Sequence, residues 1–219
     1  MNSINYERIL MKGKLIFLGL LLIFFSNIAI PQNNSELFHI SIGKSIGMED
    51  PKKYSGLLGY SVQFPESISS SHILIDISLG IGLSKQVTQA EGKVLEEKMT
   101  KAIEDDDAFV ALKKYNPFRT MGGFYSNKER TSIIVVASMP VKAFVEIESK
   151  GKTSGDAKAK EIVIENIKCN WTHLDEDNKY HSLTWAKNGV SYMIFPIEGK
   201  DFTLDDATDI AKKIIDINK

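Results

Sequence analysis

Hydrophobic and polar positions alternate most clearly near the C-terminus. Residues 161–174, 181–185 and 190–197 place an apolar side chain at about every second position, as half-buried strands do. The Asn-Gly pair between the last two segments suits a type I′ hairpin turn. Residues 203–206 (TLDD) resemble a capping box, and apolar residues follow it at helical spacing. The pattern predicts an antiparallel β-β-β-α unit whose helix covers one face of the strands.

The two predicted hairpins also have a predicted register. A two-residue turn after Lys187 pairs that residue with Val190, and a five-residue loop over 175–179 aligns the first two strands. A slip of one residue would send Trp171 to the opposite face. The register predicts three cross-strand rows: Cys169/Trp185/Tyr192, Trp171/Leu183/Ile194 and His173/His181/Pro196.

The rest of the chain mixes both periods. Period-two or continuous apolar patterns predict strands at 36–42, 59–64, 72–79, 131–139 and 141–147, with a loop over 43–53. Helical spacing predicts a helix over 88–105 that the acidic residues 105–107 end, and a second short helix over 108–114. The paired glycines Gly122 and Gly123 indicate a tight turn or a close backbone approach. The predicted fold class is α+β, with an antiparallel sheet covered on one face by helices.

The N-terminus predicts a secretory signal peptide over residues 1–30. Lys12 and Lys14 precede an unbroken apolar run that starts at residue 15. The cleavage site is poor, because a cut after Ala29 leaves Asn27 at position −3. The alternative is an uncleaved membrane anchor, although 16 residues of helix over 15–30 span only about 24 Å. A helix of the globular domain fits less well, because the run is not amphipathic.

The remaining residues, 31–219, are predicted to form a single exported α+β domain with a possible internal boundary near 149–158. Removing residues 1–30 takes away three basic residues and one acidic residue from totals of 27 and 28, so the net charge becomes −3. A mildly acidic balance argues against nucleic acid as a partner. The single cysteine, Cys169, excludes an intrachain disulfide and is predicted to be a buried packing residue.

The sequence predicts no catalytic residue and no cofactor. Gly43-Lys44-Ser45 lacks the first glycine of a phosphate-binding loop, because Phe38 stands at that position. Residues 104–107 (EDDD) could bind calcium, but the alternate spacing of a calcium loop is missing, which favours a helix cap.

One pair of side chains is a candidate metal site. In the predicted register His173 and His181 face each other across a hairpin and could ligate zinc or copper, with an acid from residues 175–177. The alternative is that both histidines are solvated at the open end of the sheet. Trp171, Trp185 and Tyr192 could form a platform for a sugar or lipid, but their alignment under a helix favours core packing.

A strand pair followed by a short helix ends the chain, with Leu183-Thr184-Trp185, Asn188-Gly189-Val190, Tyr192 and an acidic-capped helix over 204–215. In these residues the C-terminal segment resembles a bacterial family of exported domains of unknown function, found in anti-sigma-factor-associated and sporulation-linked envelope proteins. The resemblance implies an exported α+β domain without known catalysis.

Three functions are expected from these observations. The first is a non-enzymatic binding or sensing module of the bacterial cell envelope, whose partner surface is the sheet edge or the face opposite the C-terminal helix. The second is a carrier that holds a lipid or other apolar ligand between helix 88–104 and the sheet. The third is a metal-binding protein using His173 and His181. The expected localisation is periplasmic or extracellular, or membrane-anchored through residues 15–30.

Overall fold

The computed structural model describes residues 37–148, 159–173, 181–198 and 202–219. The strands are β1 (Leu37–Phe38), β2 (Ser41–Gly47), β3 (Ile73–Leu83), β4 (Val87–Thr88), β5 (Pro117–Ser126), β6 (Ile133–Pro140), β7 (Lys160–Ile164), β8 (Ile167–His173), β9 (His181–Lys187) and β10 (Val190–Glu198). The α-helices are α1 (Ser55–Leu58), α2 (Gln89–Ala102), α3 (Asp106–Ala111), α4 (Val141–Glu148) and α5 (Leu204–Ile217). Two 3₁₀ turns cover Pro51–Tyr54 and Lys113–Tyr115.

Eight of the described strands form one antiparallel sheet, in the order β2-β3-β5-β6-β10-β9-β8-β7. Strands β1 and β4 form a separate short pair. The predicted α+β class is therefore confirmed. Pairing of β6 with β10 joins the C-terminal strands to the rest of the sheet. The boundary predicted near 149–158 lies outside the described residues.

The C-terminal hairpins have the predicted register. Trp185 pairs with Tyr192 and Leu183 with Ile194. On the other side of β9, Cys169 pairs with Trp185, Trp171 with Leu183 and His173 with His181. The third row is confirmed only for its two histidines, because the described pairing of β9 with β10 ends at Leu183 and Ile194.

The segment predicted as one strand over 161–174 is two strands. Strands β7 and β8 are joined by Glu165 and Asn166, whose φ angles are 49° and 63°. A pair of left-handed residues makes the tight turn that matches the twist of a hairpin. The turn contains no glycine, and for this reason the usual composition signal was missing.

The predicted strand over 141–147 is also wrong, because these residues form helix α4. Positions 143 and 147 are one helical turn apart, and Ala143 and Ile147 are both buried. Val145, between them, is 55% exposed. Ala143, Val145 and Ile147 alternate in the sequence as in a strand, but the two that are one helical turn apart are the buried ones, and a helix forms after Pro140.

The predicted strand over 59–64 is irregular in the structure. Val62 and Phe64 are buried in the core, but the backbone of Gln63 bonds to a side chain instead of a neighbouring strand. The Gln63 amide donates to Asn218 Oδ1 (2.8 Å), and Asn218 Nδ2 donates to the Gln63 carbonyl (3.0 Å). An asparagine at the end of α5 therefore replaces a strand as the hydrogen-bonding partner of this segment.

The predicted loop over 43–53 is partly wrong, because β2 continues to Gly47. The predicted strand over 36–42 is divided between β1 and β2, and that over 72–79 continues through two glycines to Leu83. These glycines allow close contact between strands. A Cβ atom at Gly80 would lie 2.5 Å from Thr120 Oγ1 and 2.9 Å from the carbonyl oxygen of Ile42.

Two of the helix starts have the predicted caps. Thr203 and Asp206 form the predicted capping box at α5, and Thr88 and Glu91 form a second one at α2 that was not predicted. Asp105 caps α3 by accepting a hydrogen bond from the Ala108 amide (3.0 Å). This bond holds the pKa of the Asp105 carboxyl below its usual value. The acidic residues 104–107 thus include the predicted helix cap.

Both faces of the sheet are buried in their central part. The first face packs against α2 and α5, whose core residues include Leu95, Met99 and Ile214. The second face is formed by alternate residues on the other side of the same strands. There α4 packs on Phe118 and Met139. The prediction of helices on one face thus holds for α2 and α5, while α4 lies on the opposite side.

Candidate functional site

A groove of about 600 Å³ opens between α1, α3, α4 and the start of β5. Its lining brings together four segments that are far apart in the sequence. The lining includes Leu57, Phe109, Val110, Lys113, Asn116, Phe118, Arg119, Lys142, Ala143 and Glu146.

Arg119 holds the walls of this groove together. Its side chain is 6% exposed. Nε donates to the Ile103 carbonyl (3.2 Å), Nη1 to the Leu57 carbonyl (3.0 Å) and Nη2 to the Ala102 carbonyl (3.3 Å). These bonds connect the ends of α1 and α2 to β5. The guanidinium therefore acts as a structural tie.

The outer side of the same guanidinium contacts two residues of α3. Arg119 Nη2 lies 2.9 Å from Asp106 Oδ1, and the guanidinium carbon lies 4.1 Å from the centre of the Phe109 ring. The Phe109 ring thus forms one wall of the groove in a defined position. The charge of Arg119 is balanced by Asp106, which is largely exposed.

Among the described residues that line the groove, the remaining charges are mostly positive. Lys113 and Lys142 are exposed at its rim. The carboxylate of Glu146 accepts a hydrogen bond from Asn116 Nδ2 (3.3 Å). Two ammonium groups thus stand against one carboxylate, so the rim favours an anionic group.

The surface between these charges is apolar. Leu57 and Phe109 are partly buried, while Phe118 and Ala143 are buried. Val110 is 63% exposed and adds an apolar side chain at the edge of the groove. An apolar concavity with a few polar groups at its rim is the usual form of a binding site.

The two histidines of the predicted metal site are paired, and the metal itself stays a prediction. The backbone register places His173 opposite His181, but the side chain of His173 lies outside the described residues. The ring of His181 stacks on Trp171 with a centroid distance of 4.9 Å. Within the described ranges, no group of three His, Cys, Asp or Glu side chains is placed to share a metal ion.

Cys169 and the aromatic residues beside it are buried in the core. Burial raises the pKa of the Cys169 thiol to about 11, so the thiolate is scarce at neutral pH. The rings of Trp185 and Tyr192 stack at 5.2 Å with an interplanar angle of 10°. Burial also raises the pKa of Tyr192 to about 12. Cys169, Trp185 and Tyr192 therefore pack in the hydrophobic core, as the sequence pattern favours.

The space expected to hold an apolar ligand, between the predicted helix 88–104 and the sheet, contains packed side chains. Leu95, Met99 and Ala102 of α2 are at most 3% exposed and belong to the main core. A carrier function would therefore need another cavity, and the groove beside α4 is a candidate.

His72 is at the centre of a polar cluster that the sequence analysis did not find. Its Nδ1 lies 3.2 Å from Ser69 Oγ and 3.1 Å from Ser71 Oγ, and its Nε2 lies 3.0 Å from Ser132 Oγ. Burial lowers the pKa of His72 below its usual 6.5, and the carboxylate of Asp206 opposes this in part.

The lowered pKa predicts a pH dependence of stability. Below about pH 6.5 the unfolded chain binds a proton at this histidine more readily than the folded chain, so the free energy of unfolding falls as the pH falls. His72→Gln should lose less stability than the parent between pH 7 and pH 5 in urea titrations. Equal losses in both proteins would contradict the assignment.

The groove was missed because no sequence motif marks it. Arg119 and Phe118 follow a proline at the start of a strand, and Val110 lies on a helix of six residues. Only the exposed valine on a short helix is a local signal, and such residues are common on protein surfaces.

No helix in the described part of the chain has the length and apolar character needed to cross a membrane. Comparisons with protein-family models, curated proteins and solved structures found no match. The functional proposal therefore rests on the groove, on the hydrogen bonds of Arg119 that hold its walls, and on the charges at its rim.

Proposed function

We propose that this protein is a non-enzymatic binding module. Its ligand is a protein segment with a bulky apolar side chain next to a carboxylate, and the groove between α1, α3 and α4 is the binding site. The observation that carries this proposal is the combination of an apolar floor with Lys113 and Lys142 at the rim. The expected export and the resemblance to envelope domains add the proposal that the partner is at the bacterial cell envelope.

The rigidity of the groove supports this assignment. Arg119 is bonded to three backbone carbonyls, so the positions of Leu57 and Phe109 are set before a ligand arrives. A site that needs little reordering loses less free energy on binding. The apolar floor would accept the side chain, and the lysines would pair with the carboxylate.

A charge reversal at the rim tests this function. The probe is a fluorescein-labelled, terminally blocked peptide of alternating Leu, Phe and Glu residues. The double variant Lys113→Glu/Lys142→Glu should bind it at least about tenfold more weakly than the parent, as followed by fluorescence anisotropy. The same reversal should invert the dependence of binding on salt, because added salt then screens a repulsion between carboxylates and not an attraction.

A matched pair of lysines controls for net charge. Lys93 and Lys98 are exposed on α2 and are outside the groove. Lys93→Glu/Lys98→Glu changes the net charge equally and should alter the affinity less than about twofold, because distant exposed charges are screened. Equal losses in the two double variants, or no binding by the parent protein, would contradict the proposal.

A further inference from the structure

The guanidinium of Arg119 has one N–H group for which the described residues supply no acceptor. An arginine side chain carries five N–H donors. In the described part of the chain four of them are used, by the carbonyls of Leu57, Ala102 and Ile103 and by the carboxylate of Asp106. The fifth belongs to Nη1, whose other hydrogen is bonded to the Leu57 carbonyl. Buried donors normally have a partner, so the fifth N–H indicates a place for a ligand atom.

This fifth donor lies at the wall of the groove. Leu57 and Arg119 both line the groove, and Nη1 is 3.0 Å from the Leu57 carbonyl oxygen. The Phe109 ring covers one flat side of the guanidinium. Arg119 is 6% exposed, so a charged group that reaches it from the groove is largely shielded from water. An acceptor in the groove therefore meets a positive charge that is held in a fixed position.

The carboxylate that balances this charge can be exchanged. Asp106 Oδ1 lies 2.9 Å from Arg119 Nη2, but the Asp106 side chain is 78% exposed. It belongs to the first turn of α3, a helix of six residues of which none is buried. Exposed ion pairs contribute little to stability, so this carboxylate can turn towards solvent at a small cost.

We propose that Arg119 binds the carboxylate of the ligand, and that Asp106 is a built-in competitor which the ligand displaces. This inference rests on the proposed function, because it concerns the same groove and the same ligand chemistry. The ligand carboxylate accepts a hydrogen bond from Nη1 and replaces Asp106 as the counter-ion of the guanidinium. Lys113 and Lys142, at the rim, attract the ligand from a distance, and Arg119 then fixes its position.

The competitor makes the groove selective for anionic segments. A neutral apolar segment cannot replace Asp106 as the counter-ion, so it gains nothing from Arg119. A carboxylate beside the apolar side chain can do so. Discrimination between two ligands depends on the difference between their affinities, and Asp106 enlarges this difference.

The substitution Asp106→Asn tests the competition. Asparagine has nearly the same shape, and its Oδ1 can still accept from Arg119 Nη2, but it carries no charge. The probe is the labelled peptide of alternating Leu, Phe and Glu residues, and the protein is the full-length chain. Asp106→Asn should bind this peptide about fivefold more tightly than the parent in fluorescence anisotropy. Loss of a residue that merely shapes the groove would weaken binding, so the sign of the change separates the two roles.

Asp107→Asn is the matched control. Asp107 is exposed in the same helical turn, and the described ion pair of Arg119 is with Asp106. The substitution removes the same charge from the same helical turn and should change the affinity less than about twofold. A peptide with Gln in place of Glu is the second control. The parent and Asp106→Asn should bind it equally, because this peptide has no carboxylate to compete.

The guanidinium itself gives an independent readout. The chain contains three arginines, so the NMR signals of the Arg119 side-chain nitrogens can be assigned with the variants Arg8→Lys and Arg130→Lys. The Nη signals of Arg119 should shift on addition of the Glu peptide and much less on addition of the Gln peptide.

The outcomes separate this inference from the proposed function. If the parent binds the Glu peptide, equal affinities of Asp106→Asn and Asp107→Asn would overturn the competition and leave the binding function in place. Weaker binding by Asp106→Asn, or unchanged Nη signals in the saturated complex, would overturn it in the same way. Failure of both the parent and Asp106→Asn to bind would overturn the proposed function and this inference together.

Discussion

Replacing Arg119 with methionine is expected to lower the free energy of unfolding by about 3 kcal/mol. Methionine fills much of the same volume but donates no hydrogen bond. The carbonyl groups of Leu57, Ala102 and Ile103 would each lose a donor in a largely buried position. Each such loss costs about 1–3 kcal/mol, and entry of water from the groove offsets part of the sum. Urea titrations with circular dichroism provide the measurement.

The ion pair on the outer side of Arg119 provides the control. Asp106 is 78% exposed, so Asp106→Asn should cost less than about 1 kcal/mol. A large effect of Asp106→Asn, combined with a small effect of Arg119→Met, would mean that the ion pair and not the carbonyl bonds stabilises this region. Since the tie also positions the walls of the groove, Arg119→Met should weaken peptide binding as well.

Replacing Gly80 with alanine is expected to destabilise the protein by about 2–3 kcal/mol. The added Cβ would approach Thr120 Oγ1 to 2.5 Å and the carbonyl oxygen of Ile42 to 2.9 Å. The Ile42 oxygen belongs to the backbone of β2, so relief requires the two strands to move apart. Overpacking of this kind costs about 1–3 kcal/mol. For a chain of this length the melting temperature should fall by roughly 4–12 °C.

Gly56 gives a matched comparison in the same protein. It lies in α1, and a Cβ atom there would meet nothing within 4 Å. Gly56→Ala should therefore leave the melting temperature unchanged or raise it slightly, because alanine loses less backbone entropy in a helix. If both substitutions destabilise equally, crowding between β2 and β3 is not the cause.

The C-terminal unit could be predicted because its signals are local. The Asn188-Gly189 turn, strict alternation and the capping box at Thr203 each specify structure within a few residues. They were enough to give the pairing of Trp185 with Tyr192 and of His173 with His181. In a hairpin, the turn residues and the alternating strands that fix the register lie next to each other in the sequence.

Other elements depend on partners that are distant in the sequence. Residues 59–64 have the alternation of a strand, yet the backbone of Gln63 bonds to the side chain of Asn218 and not to a neighbouring strand. Ala143 and Ile147 suit a strand or a helix equally, and packing on Phe118 and Met139 decides in favour of the helix. Tertiary contacts override local preference in both cases.

The groove could not be predicted from sequence for the same reason. Leu57, Val110, Arg119 and Lys142 come from separate elements, and none has a spacing that implies a common site. The predicted metal pair, in contrast, followed directly from hairpin register. Sequence reasoning therefore predicts the pairing of His173 with His181, which local geometry creates, and misses the groove, which the assembled fold creates.

The groove between α1, α3 and α4 is expected to bind an apolar group that carries a negative charge. The most direct test is methyl NMR during titration with 4-phenylbutyrate, with 4-phenylbutylamine as the matched cation. The resonances of Val110 and Ala143 should shift with the carboxylate, at a dissociation constant on the order of millimolar, and much less with the amine. Val94, which is similarly exposed outside the groove, should not shift. Equal effects of the two compounds, or shifts at Val94 without shifts at Val110, would contradict the claim.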